Sequence, residues 1–126
     1  MRLRTEEKVY DIVIEHNGET GQFQVSPLNP ESASKLLKKH TSRKKWNNGQ
    51  AGEPEVDWVE MRIEKTQRVI KGWDATDEMG NALECSNENK RIAFLLNSEV
   101  INKVLAEADE LGLGLREEEE KELKNL

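Results

Sequence analysis

The chain has 126 residues, 35% of them hydrophobic and another 35% charged, with a formal net charge of -6. Such a length supports one domain with a modest core; no apolar run approaches the ~20 residues that cross a bilayer, and the first eight residues lack the apolar stretch of a signal peptide, so a cytosolic protein is expected. A single cysteine, Cys85, excludes an internal disulfide and a cysteine-cluster metal site.

The charge is segregated along the chain. Residues 35–45 carry Lys35, Lys38, Lys39, Arg43, Lys44 and Lys45, and no acid stands between Ser32 and Gly52. Residues 107–126 hold eight acidic against three basic residues, the composition of a solvated tail. The expected layout is a flexible N-terminus at 1–8, one domain at 9–112 with a mobile basic loop at 42–55, and an acidic tail at 113–126.

Residues 9–25 read as a β-hairpin. Asn17-Gly18 is the strongest two-residue turn signal, and the flanks alternate in polarity. That turn pairs Tyr10 with Val25, Ile12 with Phe23 and Ile14 with Gly21 on a core face. Asp11 then meets Gln24 and Val13 meets Gln22 on the solvent face. A helix start follows, with Asn29 as cap and Pro30 at the first position. Ala33, Leu36, Leu37 and His40 continue it at helical spacing. Residues 41–55, with Asn47-Asn48-Gly49, Gly52 and Pro54, have no periodicity and read as a loop.

Residues 56–70 are read as a helix because fifteen residues without Gly or Pro outrun an average strand. The alternation of Val59, Met61 and Ile63 leaves a strand as the alternative. Gly72 is expected to end this helix, and residues 73–83 to turn around Asp77-Glu78-Met79-Gly80-Asn81. Ser86 or Asn87 caps a further helix carrying Ile92, Ala93, Leu95 and Leu96, with a break at Asn97-Ser98. The last helix has the clearest stripe, Val100, Ile101, Val104, Leu105, Ala108 and Leu111, with Gly112 as its expected stop. The fold class is therefore α+β: an N-terminal antiparallel hairpin followed by about four helices.

Nothing in the chain reads as a catalytic or metal centre. His16 and His40 lack a second ligand or catalytic partner at a telling spacing, and Cys85 has no basic partner nearby in sequence. Gly112-x-Gly114 follows a helix and precedes four glutamates that would repel phosphate. A non-enzymatic binding protein without cofactor or metal is expected. The run Lys38-Lys39-His40 and Arg43-Lys44-Lys45-Trp46 sets an aromatic beside cations, as in single-strand nucleic-acid binders, but the overall acidity opposes phosphate steering. Tryptophan is enriched at protein contacts, and three of the six aromatics here are tryptophan. Trp58 and Trp73 are read as core. Trp46, in its polar loop, is the leading partner-contact candidate, with Arg43, Lys44, Lys45 and Trp73 beside it.

Val69-Ile70-Lys71-Gly72-Trp73-Asp74, then Asp77-Glu78-Met79-Gly80-Asn81-Ala82-Leu83 and Ser86-Asn87-Glu88-Asn89-Lys90, resemble the tail assembly chaperones of long-tailed bacteriophages and prophages. The likeness extends loosely from Phe23-Gln24-Val25-Ser26-Pro27-Leu28 to the final helix. It departs from the family in having no proline over Ala82-Leu83-Glu84-Cys85. The resemblance implies a non-enzymatic protein of the host bacterial cytoplasm that binds and solubilises the tape measure protein and helps recruit tail tube protein. The segregated charge also permits self-association of the basic loop of one copy with the acidic tail of another. The alternatives are another phage structural or accessory protein, or a nucleic-acid-binding module using the basic run and Trp46.

Overall fold

Asn17 and Gly18 both adopt positive φ, 52° and 79°, which is the backbone a two-residue hairpin turn requires. They join β1 (Tyr10–His16) to β2 (Glu19–Val25) in the expected register, from Tyr10↔Val25 to His16↔Glu19. The computed structural model describes residues 1–3, 5–45 and 51–124, with side chains described at 1–3, 5–42 and 53–113. After the hairpin come α1 (Pro30–Lys39), β3 (Thr41–Lys45), β4 (Ala51–Val56), α2 (Trp58–Val69), β5 (Ile70–Trp73), α3 (Asn87–Leu96) and α4 (Ser98–Lys124). The chain is thus a single α+β domain whose N-terminal antiparallel hairpin precedes four helices.

The helix starts follow local chemistry. Asn29, Asp57 and Ser86 each accept a hydrogen bond from the backbone N–H three residues on, satisfying one of the donors a first turn leaves open. α2 does not run to Gly72. It ends at Val69 and passes without a linker into β5, which pairs antiparallel with β2 to give the sheet order β1-β2-β5. Gly72 therefore sits within a strand, where a Cβ would come within 2.1 Å of the Gln24 side-chain oxygen opposite it.

The core lies between one face of this sheet and the helices. Phe23, Val25, Ile63, Val69, Ile70, Phe94, Ile101, Val104, Leu105 and Ala108 form one buried cluster. The α4 stripe is the expected one, with Val100 and Leu111 at its margins. Gly112 does not stop that helix, which continues to Lys124. Its lack of a side chain serves close packing instead, because a Cβ there would lie 3.2 Å from Pro27 Cβ. On α3 the inward residues are Phe94 and Lys90, whereas Ile92, Leu95 and Leu96 are exposed. Trp58 is likewise not core: it opens α2 and is 56% exposed.

The region 41–55 is not an aperiodic loop throughout. β3 and β4 form a separate two-stranded antiparallel sheet, with Thr41↔Val56 and Arg43↔Pro54 in register. Both strands are edges, so Pro54 costs little pairing. The base of this arm is tied by Asp57 N–H donating to the His40 carbonyl at 2.9 Å.

Glu64, half-buried on α2, fastens α1 beneath the arm. It accepts from Lys39 and lies 3.3 Å from His40 Nε2 and 2.8 Å from Arg68. The Arg68 approach is an ion pair without hydrogen-bond alignment, since Glu64 Oε2 has no hydrogen-bond partner. Burial pushes the Glu64 carboxyl up, but the Lys39 and His40 hydrogen bonds and the Arg68 and Lys39 charges outweigh it and hold the group below its ordinary value of 4.5. A carboxylate lowered on folding stabilises above that ordinary value, and the gain fades as pH falls through the lowered one. Lys39 and Arg68 are half in solvent, which screens the effect. Glu64→Gln should therefore lose about 1–2 kcal/mol at neutral pH. Its deficit against wild type should shrink below pH 4.5, as read from urea midpoints at about pH 7 and about pH 3.

Candidate functional site

A cleft of about 500 Å³ opens between the three-stranded sheet and the α3–α4 junction. Its buried floor is Ile14, Phe23 and Ile101, with Trp73, Leu83, Ala93 and Val100 on the walls. Polar side chains stand at the rim: His16, Glu19, Thr20, Asp74, Thr76 and Asn97.

Trp73 sets one wall. Its ring meets Phe23 edge to face, at 6.5 Å between centroids and 87° between planes, an arrangement that aromatic quadrupoles favour. The indole N–H donates to the Leu83 carbonyl at 2.8 Å, which holds the 74–83 excursion against the sheet. Asp77 organises that excursion by accepting from the N–H of both Met79 and Asn81 at 2.9 Å. Gly80, at φ +82°, closes it, and a bridge joins Thr76 to Ala82. Next to Trp73, the Asp74 carboxylate accepts from Gln22 N–H at 2.9 Å while its own N–H donates to Gln22 O at 3.1 Å. The sheet pairing thus continues past β5 to the cleft edge.

At the opposite rim, Lys103 Nζ lies 2.9 Å from His16 Nδ1, and Glu99 lies 3.6 Å from Nε2. An ammonium has no lone pair, so Nδ1 is the acceptor and the ring proton sits on Nε2, facing Glu99. These contacts occupy His16 structurally. Cys85 is half-buried, and burial pushes its thiol up, against a smaller opposing effect of the Lys90 charge. A protonated thiol is a weak nucleophile. Among the described residues no group of three or more His, Cys, Asp or Glu is placed to hold a metal ion. What the cleft offers is an apolar floor with hydrogen-bonding groups around it, the make-up of a binding surface.

Of the residues singled out from sequence, Trp73 lies in this cleft. Arg43, Lys44 and Lys45 lie on β3, in the separate arm. Trp46 lies outside the described residues. Part of the basic run faces carboxylates, Lys35 lying 3.0 Å from Glu31 and both Lys39 and His40 lying against Glu64. Sequence reasoning missed Thr20, Thr76, Ala93 and Asn97, which long-range packing alone brings together. No family model, curated protein or solved structure matches the chain.

The Trp73 contact gives a direct test. Trp73→Phe keeps an aromatic ring near Phe23 but removes the indole donor and part of its bulk, so it should cost about 1–3 kcal/mol. Exchange of the Leu83 amide, which donates to Ala75 O, should accelerate, because the excursion loses its tie to the sheet. Urea unfolding and amide hydrogen exchange check both outcomes.

Proposed function

We propose that this chain is a tail assembly chaperone of a long-tailed phage or prophage, acting by non-enzymatic binding. In this reading an apolar helical segment of the tape measure protein docks at the cleft, and the complex remains in solution until tail tube protein is recruited in the host cytoplasm. The observation that supports it is a coincidence of position. Trp73, Asp74 and Leu83, which belong to the segments carrying the family resemblance, are also cleft residues. Ser86, in the next such segment, caps the helix that contributes Ala93 and Asn97 to the cleft side.

The physical requirements of the role fit this surface. A client helix needs an apolar seat for a few anchoring side chains, and the surrounding charge keeps the complex soluble. The nucleic-acid alternative is weakened by the net charge of -6, which opposes phosphate steering.

The test is co-purification with fragments of the tape measure protein encoded beside the gene. Thr20→Trp and Thr76→Arg add bulk at exposed rim positions, so melting should change little while binding weakens by ~2 kcal/mol or more. Full binding by both variants would overturn the cleft as the seat. Trp46→Ala and the Lys44→Ala, Lys45→Ala pair, run in parallel, measure what the arm contributes: a tryptophan anchor is worth a similar amount, and rim lysines act mainly on salt dependence.

A further inference from the structure

The order β1-β2-β5 makes β1 an edge strand. A two-residue loop makes His16 and Glu19 the pair that exchanges hydrogen bonds, and alternation then turns the backbone groups of Glu15, Val13 and Asp11 away from β2. Two contacts agree with that phase. Lys103 Nζ reaches the Glu15 carbonyl from α4 at 3.5 Å, and on β2 it is Gln22 whose N–H and C=O face away from β1, toward Asp74. The outward N–H and C=O of Asp11 and Val13 meet no protein partner among the described residues. Val13 itself is 63% exposed.

A groove of about 380 Å³ runs between this strand and α4, lined by Val13, Glu15, Lys103, Ala106, Glu107 and Glu110. Ala106 is the small residue in it and leaves room for an incoming side chain. Native proteins usually blunt an open edge with charged side chains, lysine above all, or proline; here Lys103 does so at the Glu15 end, where it is drawn to the Glu15 carbonyl and His16, while Asp11, Glu15, Glu107 and Glu110 set four carboxylates along the edge and its groove.

We infer that the β1 edge, with the acidic groove beside it, is a second docking surface, which adds an extended, lysine- or arginine-rich segment of a partner protein as a fourth strand. The backbone supplies the hydrogen bonds of strand addition, and the carboxylates on both sides select cations at alternate positions of the incoming strand. A second copy of this chain fits less well. Two β1 strands related by a two-fold axis at Val13 set Asp11 opposite Glu15 of the other copy, and like charges directly opposite destabilise a strand pair. This surface is independent of the cleft and of the tape measure reading.

The test uses the full chain and a blocked Lys-Val-Lys-Val-Lys-Val peptide at roughly millimolar concentration, followed by amide NMR. Asp11 and Val13 amides should shift and exchange more slowly, added salt should reverse the effect, and a Glu-Val-Glu-Val-Glu-Val peptide should leave them unmoved. Val13→Pro removes an N–H that the hairpin does not use, so the β1–β2 pairing should persist while peptide affinity falls at least roughly tenfold. Should that variant unfold, Glu107→Lys with Glu110→Lys, both at exposed helix positions, replaces it and should shift the preference toward the Glu-Val peptide. Unmoved Asp11 and Val13 amides, equal affinity of the variants, or shifts confined to the cleft would overturn the inference. So would protection of these amides in a dimer of the free protein, which would assign the edge to self-pairing.

Discussion

The joint between α2 and β5 is the constraint on which the rest of the structure depends. Val69 ends the helix, Ile70 begins the strand, and both are fully buried, so the chain changes its backbone geometry inside the core without an intervening loop. Ser26 N–H donates to the Val69 carbonyl at 2.9 Å, satisfying a helix-end acceptor that would otherwise be buried unpaired. Lys90, buried on α3, does the same for Gln67 with its ammonium at 3.2 Å, where a cation also suits the helix C-terminus. With the joint fixed, β5 has one register on β2, and that register delivers Trp73 and Asp74 to the edge of the cleft.

Local periodicity made part of this fold readable from sequence. The hairpin register follows from Asn17-Gly18 alone, because a two-residue turn leaves a single pairing and the apolar set must share a face. The α4 stripe is equally local. Where tertiary context decides, the pattern misleads. Ile70-Lys71-Gly72-Trp73 is too short to announce a strand and becomes one only because β2 offers an edge. Phe94 is buried in place of Ile92, Leu95 and Leu96 because α3 turns another face to α2 and α4, and Lys90 shares that face because it has the Gln67 carbonyl to bind. Gly112 resembles a stop until Pro27 is seen against it. The strands of the β3–β4 arm carry Lys, Ser, Glu and Pro without alternation, since a two-stranded sheet has no buried face to enforce one.

The segregated charge has a structural use that the formal total of -6 conceals. Glu64 gathers Lys39, His40 and Arg68 at the α1–α2 contact, and the bidentate Glu60–Arg91 pair, at 2.9 and 3.0 Å, spans α2 and α3. Lys65 with Asp109 and Arg62 with Asn102 repeat the arrangement between α2 and α4. α2 is thus laced on its wet faces to every other helix, while Ile63, Thr66 and Val69 hold its dry one. Exposed pairs of this kind add little individually. Their worth lies in orientation, since each fixes the rotation of a helix whose apolar stripe is narrow.

That rotation also decides what kind of ligand the cleft suits. A volume near 500 Å³ would accept a small molecule, but apolar surface does not end at the rim. Leu96 lies one helical turn from Ala93 and next to Asn97, and Ile92 and Leu95 extend the exposed apolar face of α3 back along the helix. The Glu60–Arg91 pair sets this helix beside the first turn of α2, where Trp58 and Val59 are also exposed. A small ligand would leave these side chains in water. An apolar helix several turns long would seat one anchor over Phe23 and Ile101 and cover α3 with the next turns. Exposed apolar residues grouped on one side of a helix mark an interaction surface, and under the proposed function the outer face of α3 would take up the part of a helical client that extends past the cleft.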